Sequence, residues 1–208
     1  MKPITVNREL QYLTAVFSEL KRLGEWTLPN PLDGIRVFKE EDKEMAWLTH
    51  PQIRELLGAC ESYGNEDLTW IVKVCLSTGA RWSEAENLTR SQLSPCKVTF
   101  FKTKGKKNRT VPISPWLHDE LATRKRRMFK PCYQTFKKVL AMTSIELPDG
   151  QKTHVLRHTF ASHFMMNGGN ILVLQRILGH ANIRETMKYA HFAPDHLEEA
   201  VSLNPLAS

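Results

Sequence analysis

The chain has 208 residues, which is enough for one packed domain and a smaller appendage. Hydrophobic residues make up 41% and charged residues 25%, a globular balance that excludes disordered, collagen-like and low-complexity classes. No apolar run reaches the roughly 18 residues of a membrane span and no signal peptide is evident, so we expect a cytoplasmic protein without a membrane partner. The formal net charge of +7 favours a polyanionic partner such as nucleic acid, although charge alone does not identify one.

Four cysteines lie far apart along the chain and form no C-x-x-C pair. They are Cys60, Cys75, Cys96 and Cys132. Their mostly apolar neighbours predict reduced thiols that pack in the core, rather than disulfides or zinc ligands. We therefore expect no metal and no cofactor.

The first part of the chain is predicted to form a helix followed by a linker. Apolar residues recur at helical spacing over residues 7–23, and Gly24 follows as a stop signal. The proline-rich stretch 28–34 cannot continue that helix. The predicted divisions are a helical segment at 1–27, a linker at 28–45, a main domain at 46–200 and a tail at 201–208.

The main domain has the pattern of a mainly helical structure. Its opening, Thr49-His-Pro-Gln52, contains a capping residue, an early proline and the glutamine of a capping box. Further helices are predicted at about 67–77, 82–90, 115–127, 133–143, 154–166, 171–178 and 184–190. Only residues 97–101 and 109–113 have the composition of strands, on either side of a lysine-rich turn. The predicted fold class is therefore mainly α with a small antiparallel β-hairpin or three-stranded sheet.

Two polar motifs on predicted helices are candidates for chemistry, although each is weak alone. Thr78-Gly-Ala-Arg81 precedes a helix and puts Arg81 and Glu84 on one face at i and i+3. By itself this pair is more simply a surface ion pair than an arginine that a carboxylate aims at a phosphate. His154 and Arg157 have the same spacing on a helix whose opposite face is apolar, so that helix holds them rigidly. The other histidines of that helix, predicted to serve packing or surface roles, are His158 and His163.

A third motif surrounds a glycine turn. Gly179 lets the backbone turn tightly and can point His180 into a cleft, whereas an exposed or capping histidine is the simpler interpretation. Tyr189 follows nine residues later, on a short predicted helix. Asn182 and Glu185 can cap that helix.

In this order the motifs resemble those of the tyrosine recombinases, also called the lambda-integrase family. The resemblance covers residues 49–192 and rests on Thr78-Gly-Ala-Arg81 with Glu84, His154-x-x-Arg157, Leu178-Gly-His180 and Tyr189. The segment Tyr189-Ala-His-Phe-Ala-Pro194 and the ending Leu203-Asn-Pro-Leu206 are most similar to integrases of temperate phages. The resemblance implies the catalytic-domain fold of that family and a site-specific recombinase that integrates and excises phage DNA.

The resemblance also implies a role for each residue. Tyr189 would attack the scissile phosphorus and form a 3′-phosphotyrosyl bond, with neither ATP nor a metal. Arg81 and Arg157 would bind the non-bridging oxygens in the transition state. His180 would donate a further hydrogen bond to that phosphate, and His154 would help to accept the tyrosine proton.

The general acid for the leaving 5′-oxygen is expected to be a lysine near the hairpin turn. Alignment on Arg109-Thr-Val-Pro112 selects Lys104. Its close competitors are Lys102, Lys106 and Lys107. Apart from the acid, these lysines and Arg109 are expected to attract DNA phosphates without reading sequence. Glu84 is expected to orient the site from behind the arginines.

Partners follow from the same resemblance. It implies attachment sites in double-stranded DNA, a homotetramer that assembles on two duplexes, and accessory DNA-bending or directionality proteins. Relatives carry an arm-binding domain and a core-binding domain, and residues 1–27 resemble only the last helix of the latter. The chain is therefore expected to be a fragment or a shortened protein that acts in the cytoplasm of a bacterial host. The tail Val201 to Ser208 is expected to be exchanged between protomers.

Three other interpretations are open. A DNA-binding module without catalysis fits the basic charge, but it has no need to keep Tyr189 together with both arginines and His180. A type IB topoisomerase would use a similar set of residues, whereas the short Tyr189 helix and the phage-like tail favour a recombinase. A structural helical protein is the least favoured. Tyr133, which lies beside a basic run, is the strongest rival nucleophile.

Overall fold

The computed structural model describes residues 3–39, 45–101, 108–125, 127–195, 201 and 204–205. The chain divides into two compact units, Met1–Glu44 and Met45–Ser208. The division falls within the linker predicted at 28–45. The hairpin turn at 102–107 and most of the tail at 201–208 lie outside the described residues.

The first unit is built around one long helix, α1 (Pro3–Arg22). Phe17 meets Trp26 edge-on, with ring centroids 5.1 Å apart. The side-chain amide of Asn7 donates to the Phe38 carbonyl at 2.9 Å and accepts from the Phe38 amide at 2.8 Å. These contacts fold the segment that follows α1 back along the helix.

The second unit is mainly helical. Its helices among the described residues are α2 (His50–Ser62), α3 (Glu66–Thr78), α4 (Trp82–Glu86), α5 (Pro115–Ala122), α6 (Tyr133–Leu140), α7 (His154–Met166), α8 (Ile171–Leu178) and α9 (Arg184–Met187). The capping box predicted for α2 is confirmed: the Thr49 hydroxyl accepts from the Gln52 amide, and the Gln52 side chain accepts from the Thr49 amide at 2.9 Å.

A small antiparallel sheet accompanies the helices. Strands β1 (Leu93–Ser94), β2 (Lys97–Phe100) and β3 (Arg109–Pro112) are hydrogen-bonded in that order. Val98 at the centre of β2 lies opposite Leu93 on one side and Val111 on the other. The predicted fold class, mainly α with a small antiparallel sheet, is confirmed.

Four helices end earlier than the sequence pattern predicted. Helices α6 and α9 each end three residues early, so Tyr189 follows α9 instead of lying on it. Helices α4 and α5 end early for one shared reason. Helix α4 was expected to run to residue 90 and α5 to residue 127, but they end at Glu86 and Ala122. Thr89 forms a β-bridge with Arg127, and the Met128 amide donates to the Leu88 carbonyl at 3.1 Å. This pairing requires extended backbone in both segments, so neither helix can continue through it.

The apolar core of the second unit has two parts. The larger part is formed by α2, α3, α4, α5, α6, the sheet and the start of α7, with α3 packed directly against α7. A smaller cluster consists of Ala161, Met165, Leu174, Leu178 and Tyr189. Tyr189 is therefore a core residue of the segment that follows α9, which fixes its position.

The cysteines are free thiols, with Cys96 exposed and Cys60, Cys75 and Cys132 buried. Over the described residues, no helix is long and apolar enough to cross a bilayer. No group of three or more His, Cys, Asp or Glu side chains that could hold a metal ion occurs in that same part of the chain.

Candidate active site

The N-terminal end of α4 holds Arg81 by means of Glu84. Arg81 is the N-cap residue of α4, and its amide donates to Glu84 Oε2 at 2.8 Å. Its guanidinium Nη1 lies 3.2 Å from Glu84 Oε1, while 42% of the Arg81 side chain stays exposed. The Glu84 carboxylate thus holds the backbone amide and one guanidinium nitrogen of Arg81, while part of the Arg81 side chain stays accessible to a ligand.

Glu84 is shared with a second arginine, Arg109 at the start of β3. The Arg109 guanidinium donates to both carboxylate oxygens of Glu84, at 2.8 and 2.6 Å. Its Nε donates to the Ile177 carbonyl at 2.8 Å, and the guanidinium stacks over the Phe100 ring. Because Arg109 is nearly fully buried, these contacts make it a support for Glu84.

The two arginines determine the charge of Glu84. Burial raises the pKa of Glu84, but hydrogen bonding and charge from Arg109, followed by those of Arg81, outweigh it and lower that pKa to about 2. Glu84 is therefore a carboxylate at neutral pH. A permanent negative charge at this point suits an orienting group and leaves it no proton to donate.

Arg157, on the first turn of α7, is held by the ends of two helices. Its Nη1 donates to the Gly79 carbonyl at 2.7 Å, and its Nη2 donates to the Leu178 carbonyl at 2.8 Å. Gly79 is the C-cap of α3 and Leu178 is the last residue of α8, so both carbonyls belong to the negative ends of helix dipoles. Burial, with Arg81 and Arg109 nearby, lowers the pKa of Arg157 to about 10, and it remains a cation at neutral pH.

Gly79 is required for this arrangement. Its φ of +63° is left-handed backbone, which favours glycine. A Cβ atom at this position would lie 2.6 Å from Phe160 Cδ1 and 2.8 Å from Leu178 Cδ2, closer than carbon atoms pack. The close approach of α3, α7 and α8 around Arg157 therefore depends on the missing side chain.

His180 follows α8 and bridges Arg157 to Thr186. Its Nε2 lies 2.9 Å from Arg157 Nη2, and its Nδ1 lies 2.8 Å from the Thr186 hydroxyl. Burial and then the charge of Arg157 lower the pKa of His180 to about 4, so the ring is neutral. An arginine only donates, so Nε2 is the acceptor and the single ring proton is on Nδ1, where it is donated to Thr186.

Tyr189 meets the same helix through His158. The Tyr189 hydroxyl lies 2.7 Å from His158 Nδ1, and only 1% of the tyrosine is exposed. Burial raises the pKa of Tyr189 to about 12 against the opposing charge of Arg157. Burial and then Lys188 lower the pKa of His158 to about 3. The resting pair is therefore a protonated phenol and a neutral imidazole.

The surroundings of this pair are cationic. The Lys188 ammonium lies 5.2 Å from the centre of the Tyr189 ring. His154 stands exposed at the start of α7, where burial of part of its ring and then Arg157 lower its pKa. Cations and neutral imidazoles around one hydroxyl form a site that attracts an anion and suits a phosphate ester.

Comparison with known proteins gives matches along the whole chain. Residues 122–196 match the model of the phage integrase family, and residues 1–39 match the model described as the phage integrase N-terminal domain. The integrase of Escherichia phage 186 is 61% identical over 207 residues, covering 99% of this chain. The solved catalytic domain of bacteriophage HP1 integrase is 59% identical with a TM-score of 0.76, and the match covers 79% of this chain and 98% of that domain. The chain belongs to the phage integrase family.

This chain spans 62% of the length of the phage 186 integrase. A further fold match is the Tn1549 transposon integrase in complex with circular intermediate DNA, with a TM-score of 0.74 and 20% identity. That match covers 96% of this chain and 78% of the transposon protein. The resemblance to the tyrosine recombinases of temperate phages is confirmed at the level of family and fold.

The structure of this integrase-family chain brings most of the predicted site residues together. Glu84 contacts Arg81, and Arg157 contacts His180, as a shared site requires. The predicted lysines Lys102, Lys104, Lys106 and Lys107 lie outside the described residues. Lys104 as general acid and the others as DNA contacts therefore stay predictions.

Two positions of the integrase-family site differ from the sequence analysis. Arg109 was expected to face DNA, but its guanidinium is buried against Glu84, so we correct its role to support of Glu84. The sequence does contain a signal for this burial: side chains alternate between the two faces of β3, and Arg109 lies on the same face as buried Val111. His158 was expected to pack or face solvent, but it bonds to Tyr189; its signal is the i, i+4 spacing from His154.

Proposed function

We propose that the chain carries the strand-cleaving and rejoining activity of a site-specific DNA recombinase of the integrase type. The observation that carries this proposal is the position of the Tyr189 hydroxyl. That hydroxyl bonds to His158 and feels the charge of Arg157, and the Lys188 ammonium lies 5.2 Å from the centre of the Tyr189 ring. A nucleophile is thus built into a group of cations suited to a phosphodiester.

The proposed chemistry is a transesterification at phosphorus. The Tyr189 oxygen forms a bond to phosphorus while the bond to the 5′-oxygen breaks, which gives a 3′-phosphotyrosyl link and a free 5′-hydroxyl. The bond energy is kept in that link, so attack by a 5′-hydroxyl reverses the step with no ATP, and the proposal needs no metal. Lys104 is proposed to protonate the leaving oxygen.

Two arginines are proposed to stabilise the transition state from different sides. Arg81 offers an exposed guanidinium fixed at its base by Glu84, and Arg157 is held by two carbonyls. His180 is proposed to assist on the same phosphate. Because the Nε2 of His180 accepts from Arg157 in this structure, that contact to phosphate requires the proton to move to Nε2. His154 is proposed to assist the transfer of the tyrosine proton.

The proposed partner is double-stranded DNA that carries attachment sites, with four protomers on two duplexes and accessory proteins for direction. The Tn1549 integrase, a protein of similar fold, has been solved in complex with circular intermediate DNA, which supports a DNA partner. Identity of 61% to a phage integrase favours recombination over supercoil relaxation or binding without catalysis. Exchange of the tail between protomers and action in the bacterial cytoplasm belong to the same proposal.

The test is covalent capture of DNA. The chain is incubated in EDTA with labelled, nicked duplexes that have a randomised central segment, and an SDS-resistant adduct is sought by gel electrophoresis. We expect an adduct from the native chain and from Tyr133→Phe, and none from Tyr189→Phe. Tyr133 is the matched control because it is 40% exposed and lies beside basic residues. Salt-sensitive DNA binding without any adduct would overturn the proposal in favour of a binding module.

A further inference from the structure

His158 contacts the hydroxyl of Tyr189, the proposed nucleophile, although the proposed roles of the arginines, His180 and His154 do not involve it. Its Nδ1 lies 2.7 Å from the Tyr189 hydroxyl, and the two rings lie 5.9 Å apart at an angle of 45°. The Tyr189 amide donates to the Thr186 carbonyl at 2.9 Å, so the backbone of the tyrosine is fixed as well. The hydroxyl, the ring and the backbone of Tyr189 are therefore each held by a contact within this chain.

We infer that His158 is a catalytic residue that holds the Tyr189 hydroxyl through Nδ1 and takes its proton as the tyrosine oxygen attacks phosphorus. The inference rests on the proposed function, because it assigns the proton of the proposed nucleophile. In the balanced step, the O–H bond of Tyr189 breaks as an N–H bond forms at His158 and an O–P bond forms at phosphorus. The 5′-oxygen leaves with a proton from a different group, and the reverse step returns the first proton to Tyr189.

The protonation state of His158 follows from the groups around it. Cationic and imidazole groups surround His158, and the strongest influences after burial are Lys188, His154 and Arg157. They disfavour the imidazolium, so the ring is neutral. The inferred step requires the single ring proton to be on Nε2, so that Nδ1 presents its lone pair to the phenol proton at the observed 2.7 Å.

The resting pair keeps its proton on Tyr189, and an arriving phosphate changes that balance. A DNA phosphate bound by Arg81 and Arg157 adds negative charge close to His158 and offsets the cations that keep the ring neutral. The phenolic oxygen also loses its affinity for a proton as the O–P bond forms. Transfer of the Tyr189 proton to His158 is therefore favourable in the transition state and unfavourable before DNA binds. The tyrosine thus stays protonated until a phosphate is in place.

His154 is in a different position. It precedes His158 by one helical turn, is exposed, and makes no hydrogen bond within the described part of the chain. It lowers the pKa of His158 by charge, which places it near His158 without contact to the hydroxyl. His154 therefore assists, and His158 receives the proton directly.

The experiment compares His158→Asn and His158→Ala in single-turnover adduct formation on the nicked duplexes. The asparagine amide can occupy the place of Nδ1 and hold the hydroxyl, but it cannot take a proton. We expect both variants to slow adduct formation by about 10² to 10⁴, with DNA affinity unchanged. Added imidazole is expected to restore part of the His158→Ala rate. A 5′-bridging sulfur leaving group, which needs no acid, is expected to restore neither variant.

The matched control is His163→Asn, on the same helix, where the His163 Nε2 contacts the Leu48 carbonyl at 2.8 Å and not Tyr189. It should keep the native rate within a few-fold. A native rate in His158→Asn would show that His158 only positions the hydroxyl, and a faster rate in His158→Ala would show that it conceals Tyr189; either result overturns the inference.

A second measurement does not depend on cleavage. The ¹⁵N shifts of His158 in the native chain at neutral pH should show Nδ1 as an unprotonated acceptor. A protonated Nδ1 would refute the inference even if cleavage occurs. If the native chain forms no adduct, the proposed function fails on its own, and the ¹⁵N result still reports on His158.

Discussion

The two arginines proposed to bind phosphate are held in opposite ways. Around Arg81, a carboxylate shared with buried Arg109 supplies a full negative charge. Around Arg157, two backbone carbonyls at helix ends and a neutral imidazole supply only partial charges. The first region sets two guanidinium cations against one carboxylate, whereas in the second the Arg157 guanidinium has no carboxylate bonded to it.

A group that holds an arginine firmly can also weaken the attraction of that arginine for phosphate. A full carboxylate beside Arg157 would hold that guanidinium firmly but would also compete with an incoming phosphate. Carbonyl oxygens orient a guanidinium with much less loss of its attraction for anions. We therefore expect Glu84 and Arg109 to contribute mainly to stability, and the guanidinium groups of Arg81 and Arg157 to serve the proposed phosphate binding.

Removal of the Glu84 charge tests the first half of this comparison and has the largest expected effect. Glu84→Gln leaves buried Arg109 without its ion-pair partner, which should lower the free energy of unfolding by about 3 kcal/mol. Urea unfolding at pH 7 is the measurement. Glu61→Gln, in the more exposed pair with Lys73 at 3.3 Å, should change it by less than about 1 kcal/mol. A double change, Glu84→Gln with Arg109→Met, should recover much of the loss.

The same carboxylate predicts an acid sensitivity. The pKa of Glu84 is lowered from its ordinary 4.5 to about 2, so its stabilising effect is complete above pH 4.5 and disappears as the pH falls towards 2. The shift corresponds to roughly 3 kcal/mol. Unfolding measured from pH 6 to pH 2 should show a steeper loss for the native chain than for Glu84→Gln. Equal slopes would contradict the ion-paired state of Glu84.

Arg157→Lys tests the second half of the comparison. A lysine keeps the charge, but its ammonium cannot span both helix-end carbonyls and present a fork to phosphate. Adduct formation should fall by about 10² to 10³, while DNA affinity changes little. Arg176→Lys, at an exposed position of α8, is the control and should react at the native rate. Full activity in Arg157→Lys would mean that charge alone is sufficient there.

The smallest expected effect concerns the tautomer of His180. Thr186→Val removes the buried hydroxyl that accepts from Nδ1 at 2.8 Å, at a cost of about 1 kcal/mol in the free energy of unfolding. The ¹⁵N shifts of His180 should also show loss of the single Nδ1–H form. Thr110→Val, on the exposed face of β3, should change stability by no more than about 0.5 kcal/mol. An unchanged His180 spectrum would show that Arg157 alone fixes the tautomer.

Local pattern was enough to predict the elements that carry the site. Helix α7, predicted at 154–166, is observed at His154–Met166, and α8, predicted at 171–178, is observed at Ile171–Leu178. The i, i+3 pair of Arg81 and Glu84 is also present. Such features depend on neighbours within one turn, which the sequence displays directly.

Long-range contacts were beyond the same reasoning. The Gly79 carbonyl lies 78 residues from Arg157 in sequence, and the Ile177 carbonyl lies 68 residues from Arg109. Every residue has a backbone carbonyl, so no sequence motif can predict which carbonyl a distant arginine will bond. The contacts of Arg109 with Glu84 and of His158 with Tyr189 were not predicted for this reason, because they depend on tertiary structure.

The glycine at the end of α3 limits the position of Arg157, one of the two arginines proposed to bind phosphate. The Arg157 guanidinium donates to the carbonyls at the ends of α3 and α8, so its position depends on the distance between those two helix ends. One methyl group at residue 79 would press on Phe160 and Leu178 and spread those ends apart. Displacement of the guanidinium by a fraction of an ångström would follow, with no change to any side chain proposed to contact DNA. The position of the guanidinium proposed to bind phosphate therefore depends on Gly79 having no side chain.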